Sequence, residues 1–392
     1  VNQIFAITGM NLRNLPARPG SSLVAVVGIA GVVVVLIALL SMARGFESTL
    51  KDTGRDDRAL VLRGGANTET TSWISPAHAD LIRAKPGLAG SGTGAVLAAQ
   101  EIYVVADVPK RRTDTDANLP LRGVQPVSFE IRDEVRIVEG RNIEFGRFEL
   151  IAGVKAADQF QGLEIGSLLR IRGADWEVVG HFATGGTVHE SEIWVDVQIL
   201  ASNLKRGAGA TSMVVRLESP QGFDLLKSAL EADPQLETEL IGETDYYGKQ
   251  SERLTALIED FGYFVAGIMA VGAIFAALNT MYSAVSARTV EIATLRALGF
   301  GPVPVVVSVM VEAMVLALIG GAVGAGIAFA VFNGYTASTM GETFSQVSFD
   351  FAVTPDLVLR GIVWACLLGL AGGLFPSVSA ARQPVTVALR GM

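Results

Sequence analysis

A single carboxylate, Glu312, interrupts an otherwise uncharged apolar run over residues 302–333. An ionisable group at the centre of a bilayer costs about 2.5–3.5 kcal/mol when it faces lipid, so this one should face protein or lie near the interface. Two uses fit such a group: a proton relay, or an ion pair that fixes helices. A relay needs a chain of titratable partners, and no other acid or histidine falls inside the apolar runs. The expected use is therefore a contact with an arginine at the end of the run, Arg288 or Arg296. Asn279, also inside an apolar stretch, is expected to make a helix-to-helix hydrogen bond.

Other chemistry finds little support. His78, His181, His189 and the lone Cys366 are scattered and make no metal-ligand spacing. No stretch reads G-x-x-x-x-G-K-[ST]; the Gly248-Lys249 pair is followed by Gln250, so no ATP hydrolysis by this chain is expected. No nucleophile, base and orienting group can be assembled from motifs, and no bound cofactor is expected. A net charge of −8 and a pI near 5.1 argue against nucleic acid, whose phosphates call for a basic surface.

Of the 392 residues, 50% are hydrophobic and only 18% charged, and the mean hydropathy is +0.43, so much of the chain must lie in lipid. Four uncharged or nearly uncharged runs mark the spans, at 19–45, 261–287, 302–334 and 360–382, each long enough to cross about 30 Å of hydrocarbon. The first is too long for the apolar core of a signal peptide and reads as an uncleaved span. An interfacial segment over 1–18 precedes it. Arg13, Arg18, Arg288, Arg296, Arg382 and Arg390 flank spans on one side, while the loop over 335–359 carries acids only, Glu342, Asp350 and Asp356. The positive-inside rule then puts both termini, including the tail over 383–392, and the 288–301 turn in the cytoplasm.

Between the first two spans, residues 46–260 have the texture of a water-soluble domain, large enough for two small subdomains. Strands are predicted over 60–63, 102–106, 150–153, 168–172, 176–181, 192–195 and 212–217, and helices over 76–84, 154–160, 196–204 and 222–233. The fold class is a membrane protein of four transmembrane α-helices with a large α+β extracytoplasmic domain inserted between helices 1 and 2. Residues 236–259 are expected to extend the second span outward as a stalk helix.

The island between the second and third spans reads Arg288, Thr289, Val290, Glu291, Ile292, Ala293, Thr294, Leu295, Arg296, Ala297, Leu298, Gly299. On physics alone it is either a solvated turn or a short helix clamped between proteins; with Glu291 and Leu295 on one face it is not cleanly amphipathic. The pattern resembles the R-x-x-E-I-x-x-L-R-A-L-G turn of the MacB/FtsX superfamily of ABC transporter permeases (type VII), with Asn279 before it and Glu312 after it. A second resemblance, to the MacB-like periplasmic core domain, rests on Glu139-Gly140-Arg141, then residues 149–153, Ile165-Gly166, 176–180 and 193–195. It departs at Gly166-Ser167, where the family has G-D, and no motif is matched over 97–125. Residues 375–390 are similar to the family's terminal Y-P-A-x-x-A-A-R-x-x-P-x-x-A-L-R, with a one-residue shift.

The resemblance implies that residues 288–301 form the coupling helix, with Arg288, Glu291, Ile292, Thr294, Leu295, Arg296, Leu298 and Gly299 as the ATPase-coupling residues. It also implies a separate ABC ATPase dimer holding ATP and Mg, a second permease copy or related permease, and a place in the bacterial inner membrane. A periplasmic adaptor protein and an outer-membrane channel would fit as further partners. The implied function is mechanotransmission, in which ATP-driven closure moves the outer domain to export or extract a substrate from the periplasm or outer leaflet. One alternative is an FtsX-like signalling permease that regulates a cell-wall hydrolase; another is a membrane sensor independent of any ATPase. Small residues recur at four-residue spacing in Gly320/Gly324, Ala317/Gly321 and Gly369/Gly373, from composition or for close helix packing. Gly28, Gly31 and Val35 form the candidate dimer seam.

Overall fold

The computed structural model describes residues 8–9, 19–92, 94–205, 207–340 and 346–382. The tail over 383–392 and all but two residues of the segment over 1–18 lie outside the described residues. Among the described residues, four helices are long and apolar enough to cross a membrane: α1 (Pro19–Lys51), α7 (Glu243–Ser286), α9 (Pro302–Phe332) and α10 (Pro355–Arg382). At 1.5 Å per residue the 44-residue α7 is about 66 Å long, twice the hydrocarbon thickness.

The chain divides into two compact units. One holds the described residues up to Arg44, then Ala256–Tyr335 and the chain from Phe351. Its core is a seam of small and branched side chains: Ile29, Val32, Val33, Leu36 and Ile37 of α1 pack with Ala266, Ala270 and Ala273 of α7, Ala317 and Ala325 of α9, and Ala365 and Leu368 of α10. Gly324 lets α9 approach α1 closely. A Cβ there would lie 2.7 Å from the Ala30 carbonyl oxygen and 2.9 Å from Val33 Cβ. The small pairs thus face neighbours within the chain: Gly320/Gly324 meet α1, Ala317/Gly321 meet α10, and Gly369/Gly373 meet α9.

The other unit, Gly45–Thr255 with Thr336–Asp350, is built on ten strands. They are β1 (Arg58–Arg63), β2 (Ala98–Pro109), β3 (Asp116–Val124), β4 (Arg136–Gly140), β5 (Glu149–Gly153), β6 (Leu168–Ile171), β7 (Ala174–Ala183), β8 (Ile193–Asp196), β9 (Ser212–Arg216) and β10 (Thr238–Gly242). The order is β10-β1-β9-β2-β3-β8-β5-β7-β4, with β6 hairpinned on β7. The long β2 joins two halves, pairing with β9 over Ala98–Glu101 and with β3 from Ile102 onward. Short helices cover the sheet: α2 (Pro76–Arg83), α3 (Pro126–Ile131), α4 (Val154–Gln159), α5 (Val197–Asn203) and α6 (Pro220–Glu231). One core gathers β1, β9, α2 and α6 around Val61, Ile82, Met213 and Leu226; the other gathers β2, β3, β5, β7 and β8 around Leu121, Leu150, Phe160 and Trp176.

Every strand and helix named from the sequence in this domain is present. β4 and α3 are additional to them, and three further segments differ from the sequence reading. Residues 236–242, expected in the stalk, instead lead into and form β10, antiparallel to β1, and the helix starts at Glu243. The segment without a motif, 97–125, is the β2–β3 pair at the centre of the sheet. The loop over 335–359 is a hairpin, β11 (Thr336–Met340) with β12 (Gln346–Asp350), that belongs to the sheet-bearing unit; α10 already begins at Pro355.

Candidate functional site

Between α7 and α9 the charged island folds as a short helix, α8 (Thr289–Ala297). Glu291 sits in its first turn and Arg296 in its last, each favourable to the helix dipole. Its C-terminus is a Schellman motif: Phe300 N–H donates to the Leu295 carbonyl at 3.1 Å and Gly299 N–H to the Arg296 carbonyl at 3.1 Å. Gly299 takes φ +95°, which a side chain disfavours, and this gives the glycine at the end of the motif a structural reason. Gly301 and Pro302 then open α9, with proline in the first turn, where its missing N–H leaves no bond unmade.

Arg288, just before α8, is buried, and its Nη1 donates to Glu312 Oε2 of α9 at 2.9 Å. Ile292 and Ala293 point inward; Ile292 packs with Met281 and Val285 of α7 and with Val305 and Val309 of α9. Glu291 and Leu295 are half-buried and line a cavity of about 20 Å³ beside the ion pair, room for a single water. Thr294 turns its hydroxyl back to the Val290 carbonyl at 2.8 Å. The outward face of α8 carries Val290, Thr294, Ala297 and Leu298, at i, i+4, i+7 and i+8. Leu298 is 73% exposed and Val290 40%. The named coupling residues thus split: Arg288 and Ile292 build the seat, Glu291, Leu295 and the half-buried Arg296 lie at its edge, and Thr294, Leu298 and Gly299 are outside.

The remaining named residues are placed apart from this helix. Asn279 is exposed on α7. Gly28 faces Ala273 and Ala276 of α7 in the same chain, whereas a Cβ on Gly31 would meet nothing within 4 Å, and Val35 is half-buried.

A second cluster, in the sheet-bearing unit, had no signal in the sequence. Arg122 of β3 is buried, and all five of its N–H donors reach carboxylates. Glu192 takes two at 2.8 and 2.9 Å, Glu69 two at 2.9 and 3.2 Å, and Glu101 one at 2.9 Å. Arg132 grips the other side of Glu101, and the indole of Trp194 donates to Glu192 at 2.7 Å. Burial alone would push Glu192 up; Arg122 and then His189 hold its carboxyl far below the usual range. Glu101 is likewise raised by burial but lowered overall by Arg132 and Arg122. Nearby, burial pushes the Tyr246 and Tyr247 phenols well up. These tyrosines belong to the first turns of α7, where buried Glu243 also lies 2.7 Å from Arg58 Nε. The network anchors the start of α7 in the domain.

Among the described residues, four membrane-length helices, a short helix held by an ion pair between the second and third, and an α+β domain inserted after the first define a multi-pass membrane protein. Residues 22–233 match the MacB-like periplasmic core domain and residues 263–385 the FtsX-like permease C-terminal domain. The chain belongs to the MacB/FtsX family of ABC transporter permeases.

Among its relatives is the uncharacterized ABC transporter permease YknZ of Bacillus subtilis, 24% identical over 318 residues, covering 78% of this chain and 77% of YknZ. The uncharacterized permease MJ1507 of Methanocaldococcus jannaschii is 22% identical over 266 residues, so that the match spans 65% of this chain and 65% of MJ1507. The macrolide export ATP-binding/permease protein MacB of Vibrio parahaemolyticus is 28% identical over 143 residues, which is 36% of this chain and 20% of MacB. Among solved structures, the periplasmic region of MacB from Actinobacillus actinomycetemcomitans matches 49% of this chain and 91% of its own, at 10% identity and a TM-score of 0.37. The extracellular domain of YknZ matches 44% and 91%, at 15% and 0.34.

Proposed function

We propose that this chain is the permease subunit of a bacterial inner-membrane ABC transporter, with both termini in the cytoplasm. A separate ATPase dimer, holding ATP and Mg²⁺, docks on α8, and a second permease, a copy or a relative, completes the assembly. Closure of the ATPases pushes α8, and the motion passes along α1 and α7 to the extracytoplasmic domain, which exports or extracts a substrate already outside.

The observation that carries this reading is the outward stripe of α8. Val290, Ala297 and Leu298 are apolar side chains left open on a helix whose other side is fixed by Ile292 and the Arg288–Glu312 pair. An uncovered apolar stripe on a rigid seat is a docking surface in search of a partner. Membership of a family of ABC permeases supports an ABC ATPase as that partner. Purification of the tagged protein from its native membrane in mild detergent, followed by mass spectrometry, tests the proposal. An ABC ATPase in the eluate supports it, and copurifying adaptor or hydrolase proteins separate export from hydrolase control. A dimeric permease eluting without any ATPase overturns it.

A further inference from the structure

A groove of about 590 Å³ opens on the sheet-bearing unit, lined by the edge strand β4, by β7 and by α4. Small-molecule sites run from about 300 to 1,000 Å³, so its size suits one. Its walls are apolar where Val138 of β4 and Ile165 of the α4–β6 loop stand open, 57% and 40% exposed. His181 of β7 is mostly buried. Its Nε2–H donates to the Leu163 carbonyl at 2.7 Å, and its Nδ1 lies 3.2 Å from Glu139.

These walls are set without any ligand. The loop that carries Glu164 and Ile165 is tied to β7: Gly166 N–H donates to the Val178 carbonyl at 2.8 Å, and Val178 N–H to the Ser167 carbonyl at 3.0 Å. Ser167 Oγ donates to the Gly162 carbonyl at 2.8 Å and closes the turn. On the β4 side Gly140 takes φ +74°, and a Cβ there would lie 2.3 Å from the Val179 carbonyl oxygen of β7.

The charge of the groove is one-sided. Three carboxylates line it, Glu139, Asp158 and Glu164, against one arginine, Arg111. That arginine is already committed: its Nε donates to the Ala157 and Phe160 carbonyls, and its Nη2 lies 2.7 Å from Glu164. Glu139 reaches the His181 ring, and Asp158 has no ion-pair partner among the described residues. Exposed carboxylates beside open apolar side chains are complementary to an occupant that is cationic and apolar at once. A paired peptide strand fits poorly, because the β4 ladder slips between Ile137 and Glu139, and such an irregularity blunts strand addition at an edge.

We infer that this groove binds a small cationic amphiphile, its amine against Glu139 and Asp158 and its apolar body on Val138 and Ile165. The binding goes beyond the function proposed above and does not depend on it.

The test needs no ATPase, so its failure is separable from failure of the functional reading. Full-length protein in phosphatidylcholine nanodiscs is dialysed to equilibrium against radiolabelled propranolol, a naphthyl ring bearing a secondary amine, and binding to protein-free nanodiscs is subtracted. Saturable binding with a Kd below about 1 mM is expected. Glu139→Gln with Asp158→Asn should weaken it about fivefold, as the loss of two exposed ion pairs would. Val138→Ser should weaken it about threefold through lost apolar contact. All three positions are exposed, so tryptophan fluorescence should stay as in the wild type. Should the double variant misfold, Val138→Ser is read instead. Naphthoxyacetate, with a carboxylate on the same ring, should not compete. No saturable binding, unchanged affinity in a folded variant, or displacement by naphthoxyacetate overturns the site.

Discussion

The Arg288 guanidinium and the Glu312 carboxylate meet 2.9 Å apart, both buried, where the start of α8 rests against α9. Each charge lowers the cost of burying the other. Together they fix the angle at which α8 leaves the spans.

Removing one member should therefore cost more than removing both. Glu312→Ala leaves Arg288 buried without its carboxylate, and breaking such a pair costs about 3–5 kcal/mol. Replacing both residues, Arg288→Leu with Glu312→Leu, should restore most of that stability without restoring the seat of α8. Thermal unfolding of the detergent-purified variants reads the first effect, and ATPase recovery on purification reads the second.

Acid should unfold the extracytoplasmic domain through the Arg122 network. Glu101 and Glu192 have lowered pKa values in the folded protein, while in the unfolded chain a glutamate titrates at about 4.3. Their contribution is full above that value and is lost as pH falls toward the folded values, because the unfolded state takes up protons first. Tm should be nearly flat from about pH 8 to 5.5 and fall steeply below about pH 4. Arg122→Ala should destabilise the domain by about 3–5 kcal/mol, since three carboxylates lose their shared guanidinium. Tryptophan fluorescence reports both, because Trp194 bonds to Glu192.

Two glycines on α9, two positions apart, should behave oppositely. A side chain at Gly324 would strike the backbone of α1, whereas at Gly326 it would meet nothing within 4 Å. Gly324→Val is expected to cost about 1–3 kcal/mol by overpacking, and Gly326→Val less than about 0.5 kcal/mol. Equal losses in a thermal melt would contradict the close α1–α9 packing.

The spans were readable because an uncharged run of this length is rarely anything but a membrane helix, and the strands of the domain were readable through their period-two alternation. The ion pair was half readable: Glu312 announced itself as a lone charge, but only the fold shows Arg288 buried against it. The Arg122 network was not readable, because its carboxylates lie 21, 53 and 70 residues away along the chain. Local composition also misled at 236–242, where Leu, Glu and Thr read as helix and pairing with β1 decided for strand. The hairpin at 336–350 was hidden for a similar reason: β11 reads Thr-Ala-Ser-Thr-Met, polar enough to pass for a loop until Phe349 is seen buried.

If α8 is the seat of a motor, its outward face should matter for binding and not for folding. Leu298 is largely exposed and supports nothing inside the chain, so Leu298→Asp should leave Tm within about 2 °C of the wild type, as expected for a surface substitution. The decisive measurement is the amount of ABC ATPase recovered per permease when wild type and Leu298→Asp are purified side by side from native membranes. A loss of about tenfold or more, about 1.4 kcal/mol of binding, is the predicted result. Equal recovery, or no ATPase with either protein, would contradict the assignment of α8 as the coupling helix.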